Sequence, residues 1–198
     1  MSIVGGRPII DHVLERMRIG GASDLRVVVR PDKEDLLAHL RVSDVQLRLG
    51  QPATLSASFQ LGRNGAAAAD ILLLGFPDTI WWPATAYRKV IATILDGAEI
   101  ALGLFRTDEP ERSEVVSLDA AGRLVDIAKR PRKPSSSWIW GAFAARSRAF
   151  DDLSPGDSFA ELFLQQAESV SVAHFGRLLD IGTPAALARV QREVPGLP

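Results

Sequence analysis

The chain has 198 residues, 46% of them hydrophobic and 24% charged, which suits one globular domain, spanning 1–198, with a substantial core. Its 23 basic and 24 acidic side chains give no electrostatic case for a nucleic-acid polymer as partner, and the absence of cysteine excludes disulfides, thiolate metal sites and a cysteine nucleophile. No apolar run reaches membrane-spanning length and no signal-peptide pattern opens the chain, so no membrane partner and a cytoplasmic location are expected.

Val4-Gly5-Gly6-Arg7-Pro8-Ile9 reads as a turn running straight into a helix, where Ile10, Val13, Leu14 and Met17 recur at helical spacing until Gly20-Gly21 stops the element. A buried strand is expected over 25–29, a helix opening at Pro31-Asp32-Lys33-Glu34 and running to about 40, an alternating strand over 45–49, and a short helix over 54–61. A loop at Arg63-Asn64-Gly65 and an alanine-rich turn lead into the aliphatic run Ile71-Leu72-Leu73-Leu74, which is closed by Gly75-Phe76-Pro77-Asp78. Such a run reads as a strand buried on both faces. A helix over 83–95 and a strand over 99–105 follow. Next come a hairpin of 115–118 and 124–128 about the polar turn 119–122, a basic and serine-rich loop over 130–137, and a returning strand over 138–145. A helix over 158–167, a strand over 170–175 and a helix over 184–193 with proline at its start complete the chain. Helix and strand alternate early and a hairpin is inserted late, which predicts an α/β fold around a mixed, mostly parallel sheet.

Two acidic residues stand where strands leave that sheet, Asp78 after Ile71–Leu74 and Asp180 in Leu178-Leu179-Asp180-Ile181-Gly182-Thr183-Pro184. Ligands of open α/β sheets bind outside the carboxyl ends of the strands. Two carboxylates there can share one Mg²⁺, a hard cation that takes its remaining oxygens from water and phosphate. The structural alternative is that Asp78 is a turn or N-cap residue. Trp81 and Trp82 could wall a pocket beside Asp78 or belong to the core, and His12, His39 and His174 show no ligand spacing.

Four segments occur in a distinctive order: Val4-Gly5-Gly6-Arg7-Pro8-Ile9-Ile10-Asp11-His12-Val13-Leu14; Gly75-Phe76-Pro77-Asp78-Thr79; Arg130-Pro131 before Trp140-Gly141-Ala142-Phe143; and Leu179-Asp180-Ile181-Gly182-Thr183-Pro184. In this order and over almost the whole chain, the sequence resembles the sugar-1-phosphate nucleotidyltransferases, the nucleotide-sugar pyrophosphorylases of which glucose-1-phosphate thymidylyltransferase is the best-known type. The resemblance implies a three-layer, Rossmann-like nucleotide-diphospho-sugar transferase fold. The activity it implies is Mg²⁺-dependent transfer of a nucleotidyl group from a nucleoside triphosphate to a sugar 1-phosphate, with release of pyrophosphate, as part of nucleotide-sugar biosynthesis. The family's metal-holding aspartates fall on Asp78 and Asp180. Gln51 and Thr54 match its segment reading the nucleobase and sugar, with Ala53 in place of a glycine, although Thr54 could simply cap a helix. Arg130 stands where the family often has a lysine on the sugar phosphate, and Lys129 where it often has an acid; a solvated basic loop is the alternative. Gly141 matches a glycine near the bound sugar, or marks a bulge.

The family opens with a strand and a glycine-rich loop ending in Thr-Arg or Ser-Arg, whose amides cradle the triphosphate. These 198 residues hold no counterpart, since Gly5-Gly6-Arg7 matches a later Gly-Gly-Lys-Pro turn. Low turnover by this chain alone is therefore expected, and a longer natural enzyme is preferred to a shortened form that keeps the sugar side. The alternative function is a non-catalytic sugar-nucleotide binding or regulatory module of the same fold. A central strand missing from the sheet would leave open edges. Closure is expected either by direct pairing of 25–29 with 71–74 or by a segment borrowed from a second copy in a homodimer.

Overall fold

The structure, a computed structural model, describes residues 1–193. The chain opens with a small hairpin, β1 (Ile3–Val4) and β2 (Arg7–Pro8), turned through Gly5 and Gly6 at φ 57° and 77°. Helix α1 (Ile9–Gly20) ends where Gly21 turns left-handed, at φ 100°, and its amide bonds the last-turn carbonyls. β3 (Arg26–Val29), α2 (Glu34–Arg41), β4 (Gln46–Leu49) and α3 (Leu55–Arg63) follow. The α2 helix starts at Glu34 rather than at Pro31: Pro31 and Asp32 lie in a turn closed by the Lys33 amide on the Arg30 carbonyl at 3.1 Å, with the Asp32 carboxylate paired to Arg30 at 2.7 and 2.9 Å.

β5 (Ile71–Gly75) leads to a strand that local periodicity did not reveal, β6 (Thr79–Trp81). Pairing of the Trp82 amide with the Arg177 carbonyl (2.9 Å) keeps the chain extended there, so α4 (Ala86–Leu95) begins three residues later than expected. β7 (Ile100–Arg106), the hairpin β8 (Glu114–Leu118) and β9 (Leu124–Lys129), β10 (Trp138–Arg146) and α5 (Phe159–Gln165) come next. β11 (Val170–Asp180) runs well past the expected end at 175, and α6 (Pro184–Glu193) closes the described chain.

Seven strands form one mixed sheet in the order β6-β11-β7-β10-β8-β9, with β5 beside β8 on the same edge of β10. β5, β7, β8 and β11 run one way, and β6, β9 and β10 run the other. β10 is the hub, and its register against β7 shifts between Trp140 and Ala142, leaving Gly141 in a bulge. On one face α1 and α4 cover the sheet, packing Val13, Tyr87, Val90 and Ile94 on Ala101, Phe105, Ala142 and Ala144. On the other face α3 and α5 bring Phe59, Phe159, Leu162 and Phe163 onto Leu102, Leu104, Trp140 and Phe143. Alternate residues of β7 and β10 thus serve opposite cores, which is the two-residue periodicity of a strand buried on both sides. Each fully buried aliphatic or aromatic side chain of this kind contributes roughly 1.5–3 kcal/mol.

β3 and β4 form a separate parallel pair. Among the described residues β3 pairs only with β4, and β5 only with β10, so the direct closure of these strands onto one another does not occur. The helices hold the two sheets together instead. Met17 of α1 packs against both the Leu25, Val29, Leu37, Leu40 core and the main one, while Gly62 of α3 lies against Val28 and Phe59 of the same helix enters the main core.

Candidate active site

At the end of β5 the chain turns tightly. The Thr79 amide and hydroxyl both donate to the Phe76 carbonyl, at 3.2 and 2.9 Å, which leaves Pro77 and Asp78 at the two central turn positions. Proline presets the backbone for the first of these and a short polar residue suits the second. The Asp78 carbonyl then accepts the Ile181 amide at 2.8 Å, while Thr79 stands opposite Asp180 in the β6–β11 ladder. The turn after β5 is thereby stitched to the end of β11.

This stitching brings the two aspartates together. Asp180 Oδ1 accepts the Gly182 amide at 2.9 Å. A Cβ built on Gly182 would lie 2.9 Å from Asp78 Oδ2 and 3.1 Å from Asp180 Oδ1, so both carboxylates converge on one spot. Asp78 caps no helix, since Thr85 stands at the N-cap of α4. Burial in the first place, and the neighbouring Asp180 charge in the second, push the Asp78 carboxyl above the usual carboxylate range. A cation between the two would relieve that repulsion. Among the described residues no group of three or more His, Cys, Asp or Glu gathers to hold a metal. The donor set is therefore two carboxylates, which suits a hard ion completed by water and phosphate oxygens.

Among the described residues, Gln51, Thr54, Arg130 and Gly141 make no hydrogen bond or ion pair with either aspartate. Gln51 is exposed just beyond β4. Thr54 is the N-cap of α3, accepting the Ala57 amide at 3.1 Å, and its hydroxyl donates to the Pro155 carbonyl. Arg130 follows β9 in a left-handed conformation, φ 46°, with its amide on the Ser113 carbonyl at 2.8 Å and its side chain exposed. A non-glycine residue held there stores backbone strain, of the kind that gathers at functional sites. Gly141 is tightly packed: a Cβ would lie 2.1 Å from Leu178 Cδ1 and 3.2 Å from Phe105 Cδ2.

Trp81 is fully buried against Tyr87 and Phe105, which assigns it to the core rather than to a pocket wall, and Trp82 packs against the cluster of Ile80, Leu179 and Ile181. His12 is buried on the Val4 carbonyl at 3.1 Å, His39 pairs with Asp11 at 2.7 Å, and His174 stacks edge-on to Trp138 at 4.6 Å. Trp140, whose Nε1 donates to Glu114 Oε2 at 2.8 Å, is buried in the core with Phe143 and Phe163, its ring centroid 5.5 Å from that of Phe76.

No family model matches the chain. It is 28% identical over 207 aligned positions to a glucose-1-phosphate thymidylyltransferase of Neisseria gonorrhoeae, covering 91% of this chain and 69% of that protein. It is 35% identical over 111 positions to the bifunctional protein GlmU of Azorhizobium caulinodans, covering 54% of this chain but only 25% of that relative. In fold it superposes with a TM-score of 0.86, at 17% identity, on a glucose-1-phosphate thymidylyltransferase structure from Bacillus anthracis crystallised with sucrose, covering 99% of this chain and 86% of the other. HddC from Yersinia pseudotuberculosis, complexed with GMP-PN, superposes with a TM-score of 0.75 at 15% identity, over 98% of this chain and 88% of its own.

Proposed function

We propose that this chain, a relative of the sugar-1-phosphate nucleotidyltransferases in sequence and fold, carries the metal-holding half of a nucleotidyl-transfer site. The reaction joins a nucleoside triphosphate to a sugar 1-phosphate and releases pyrophosphate. The observation that carries this reading is the convergence of Asp78 and Asp180 over Gly182. These two residues would hold Mg²⁺, which when bound neutralises the meeting phosphates and aligns the attacking oxygen with the α-phosphorus.

The protein's own contribution is positioning. The turn at Pro77-Asp78 and the β6–β11 ladder fix the two carboxylates before any substrate arrives. Exposed Arg130 is assigned to the sugar phosphate, where its guanidinium can grip two oxygens at once. Gln51 is assigned to the nucleotide. Thr54 has its hydroxyl engaged by the Ala57 amide and Pro155, so any substrate contact there falls to its backbone and its neighbours. The backbone of Gly141, at the β10 bulge, is assigned to the sugar, while its bare α-carbon answers to the packing of Leu178.

The test is pyrophosphate release from a panel of nucleoside triphosphates and sugar 1-phosphates with Mg²⁺, using the chain alone and the chain preceded by any in-frame segment its gene encodes. Release that depends on both substrates and is lost in Asp78→Asn is the expected result. Tight binding of a sugar nucleotide with no release in either form would favour the binding module. Full release by Asp78→Asn would remove that aspartate from the reaction.

A further inference from the structure

Glycines in this chain serve two different ends. Gly6, Gly21, Gly65, Gly97 and Gly122 sit at φ between 77° and 115°, and a Cβ on any of them would meet nothing within 4 Å. They are there for backbone freedom. Gly182 is the reverse case. Its φ lies outside the left-handed region, so its backbone is open to any L-residue, yet a Cβ would lie 2.9 Å from Asp78 Oδ2 and 3.1 Å from Asp180 Oδ1. The crowding atoms are the far ends of two carboxylates, not backbone or core.

We propose that Gly182 is a positioning residue of the Asp78–Asp180 pair, its missing side chain being what lets both carboxylates meet over one ion. This rests on the metal-holding role given to that pair above. Gly182 acts in two ways. Its amide fixes Asp180 Oδ1 at 2.9 Å, and its bare α-carbon leaves the space that both carboxylates border. A methyl group at 182 would push side-chain oxygens aside rather than break the fold, because the neighbouring backbone bond, the Ile181 amide to the Asp78 carbonyl at 2.8 Å, does not involve the Gly182 α-carbon. A glycine kept for turn geometry would behave in the opposite manner, with stability falling and ion binding following only as the fold is lost.

Mn²⁺ alone, titrated into wild type, Asp78→Asn and Gly182→Ala and followed by water-proton relaxation, separates these cases when combined with a thermal melt of each protein. Wild type should bind the ion and Asp78→Asn should lose it. Gly182→Ala should bind about 10–100-fold more weakly, the range seen when groups that orient metal ligands are disturbed, while melting close to wild type. Wild-type Mn²⁺ affinity in Gly182→Ala would overturn the proposal and leave the ion site standing. Identical relaxation in wild type and Asp78→Asn would overturn the metal-site reading itself, and the proposal with it. If Gly182→Ala fails to fold, the Asp78→Ala/Gly182→Ala double variant decides: recovery of the fold shows that the crowding is with the carboxylate, whereas a double variant that stays unfolded overturns the proposal.

Discussion

Gly141→Ala tests whether that glycine answers to packing or to a ligand. The added Cβ would sit 2.1 Å from Leu178 Cδ1, with Phe105 Cδ2 at 3.2 Å and Cε2 at 3.5 Å behind it. Carbon atoms in good contact stand about 3.5–4.0 Å apart, so Leu178 must leave its rotamer. It has little room to do so, being 9% exposed within the cluster of Trp81, Phe105 and Ala173. Overpacking of this kind costs about 1–3 kcal/mol. For a chain of this length each kcal/mol lowers Tm by roughly 2–4 °C. Differential scanning calorimetry should show that loss, and Leu178→Ala should absorb part of it, with a favourable coupling of roughly 0.5–3 kcal/mol across the double-mutant cycle. A Gly141→Ala protein that melts with wild type while binding sugar 1-phosphate more weakly would refute the packing account and give the glycine to the ligand.

The raised carboxyl of Asp78 has a definite consequence for pH. Because the folded state holds that proton more tightly than the unfolded chain, the stability it contributes is fully present below the ordinary aspartate range and is lost as pH rises through the raised folded value. Without divalent ions, Asp78→Asn should therefore melt above wild type at neutral pH, with the gap closing in acid; a constant gap across the pH series would remove the linkage. Arg16 is buried, donating to the Trp81 and His12 carbonyls at 3.0 Å each, with its guanidinium 5.8 and 5.9 Å from the Trp81 and Trp82 rings. Arg16→Lys keeps a buried charge but loses the planar fork, so it should melt lower than Arg16→Met, which drops the charge and keeps the stem; the opposite ranking would mean that charge rather than geometry holds the site. Hydrogen exchange should show amides alternating between slow and fast along β3 and β5, because each strand is paired on one edge only among the described residues. Uniformly slow exchange that depends on protein concentration would reveal a strand supplied by a second copy.

Local sequence determined a good deal. The 3.6-residue recurrence of Ile10, Val13, Leu14 and Met17 and the glycines after it bound α1, the polar turn at 119–122 set the β8–β9 hairpin, and Thr54 caps α3 as its residue type suggests. Asp78 and Asp180 were legible as well, because an acid following an apolar run must lie where a strand leaves its sheet. Only the tertiary structure decided what these pieces do together. β6 is three residues long and exists because β11 runs on to Asp180 beside it; neither strand extension has a periodicity of its own. Thr54 bonds Pro155, 101 residues away, and Gly141 owes its bare α-carbon to Leu178 on a strand that β10 never pairs with. The direct pairing expected between β3 and β5 fails for the same kind of reason, since a strand's composition specifies that both faces are buried but not which neighbour lies along its edge. Periodicity records which side of an element avoids water, whereas the meeting of two carboxylates over Gly182 depends on a ladder register and a turn that come together only when residues about a hundred positions apart are packed side by side.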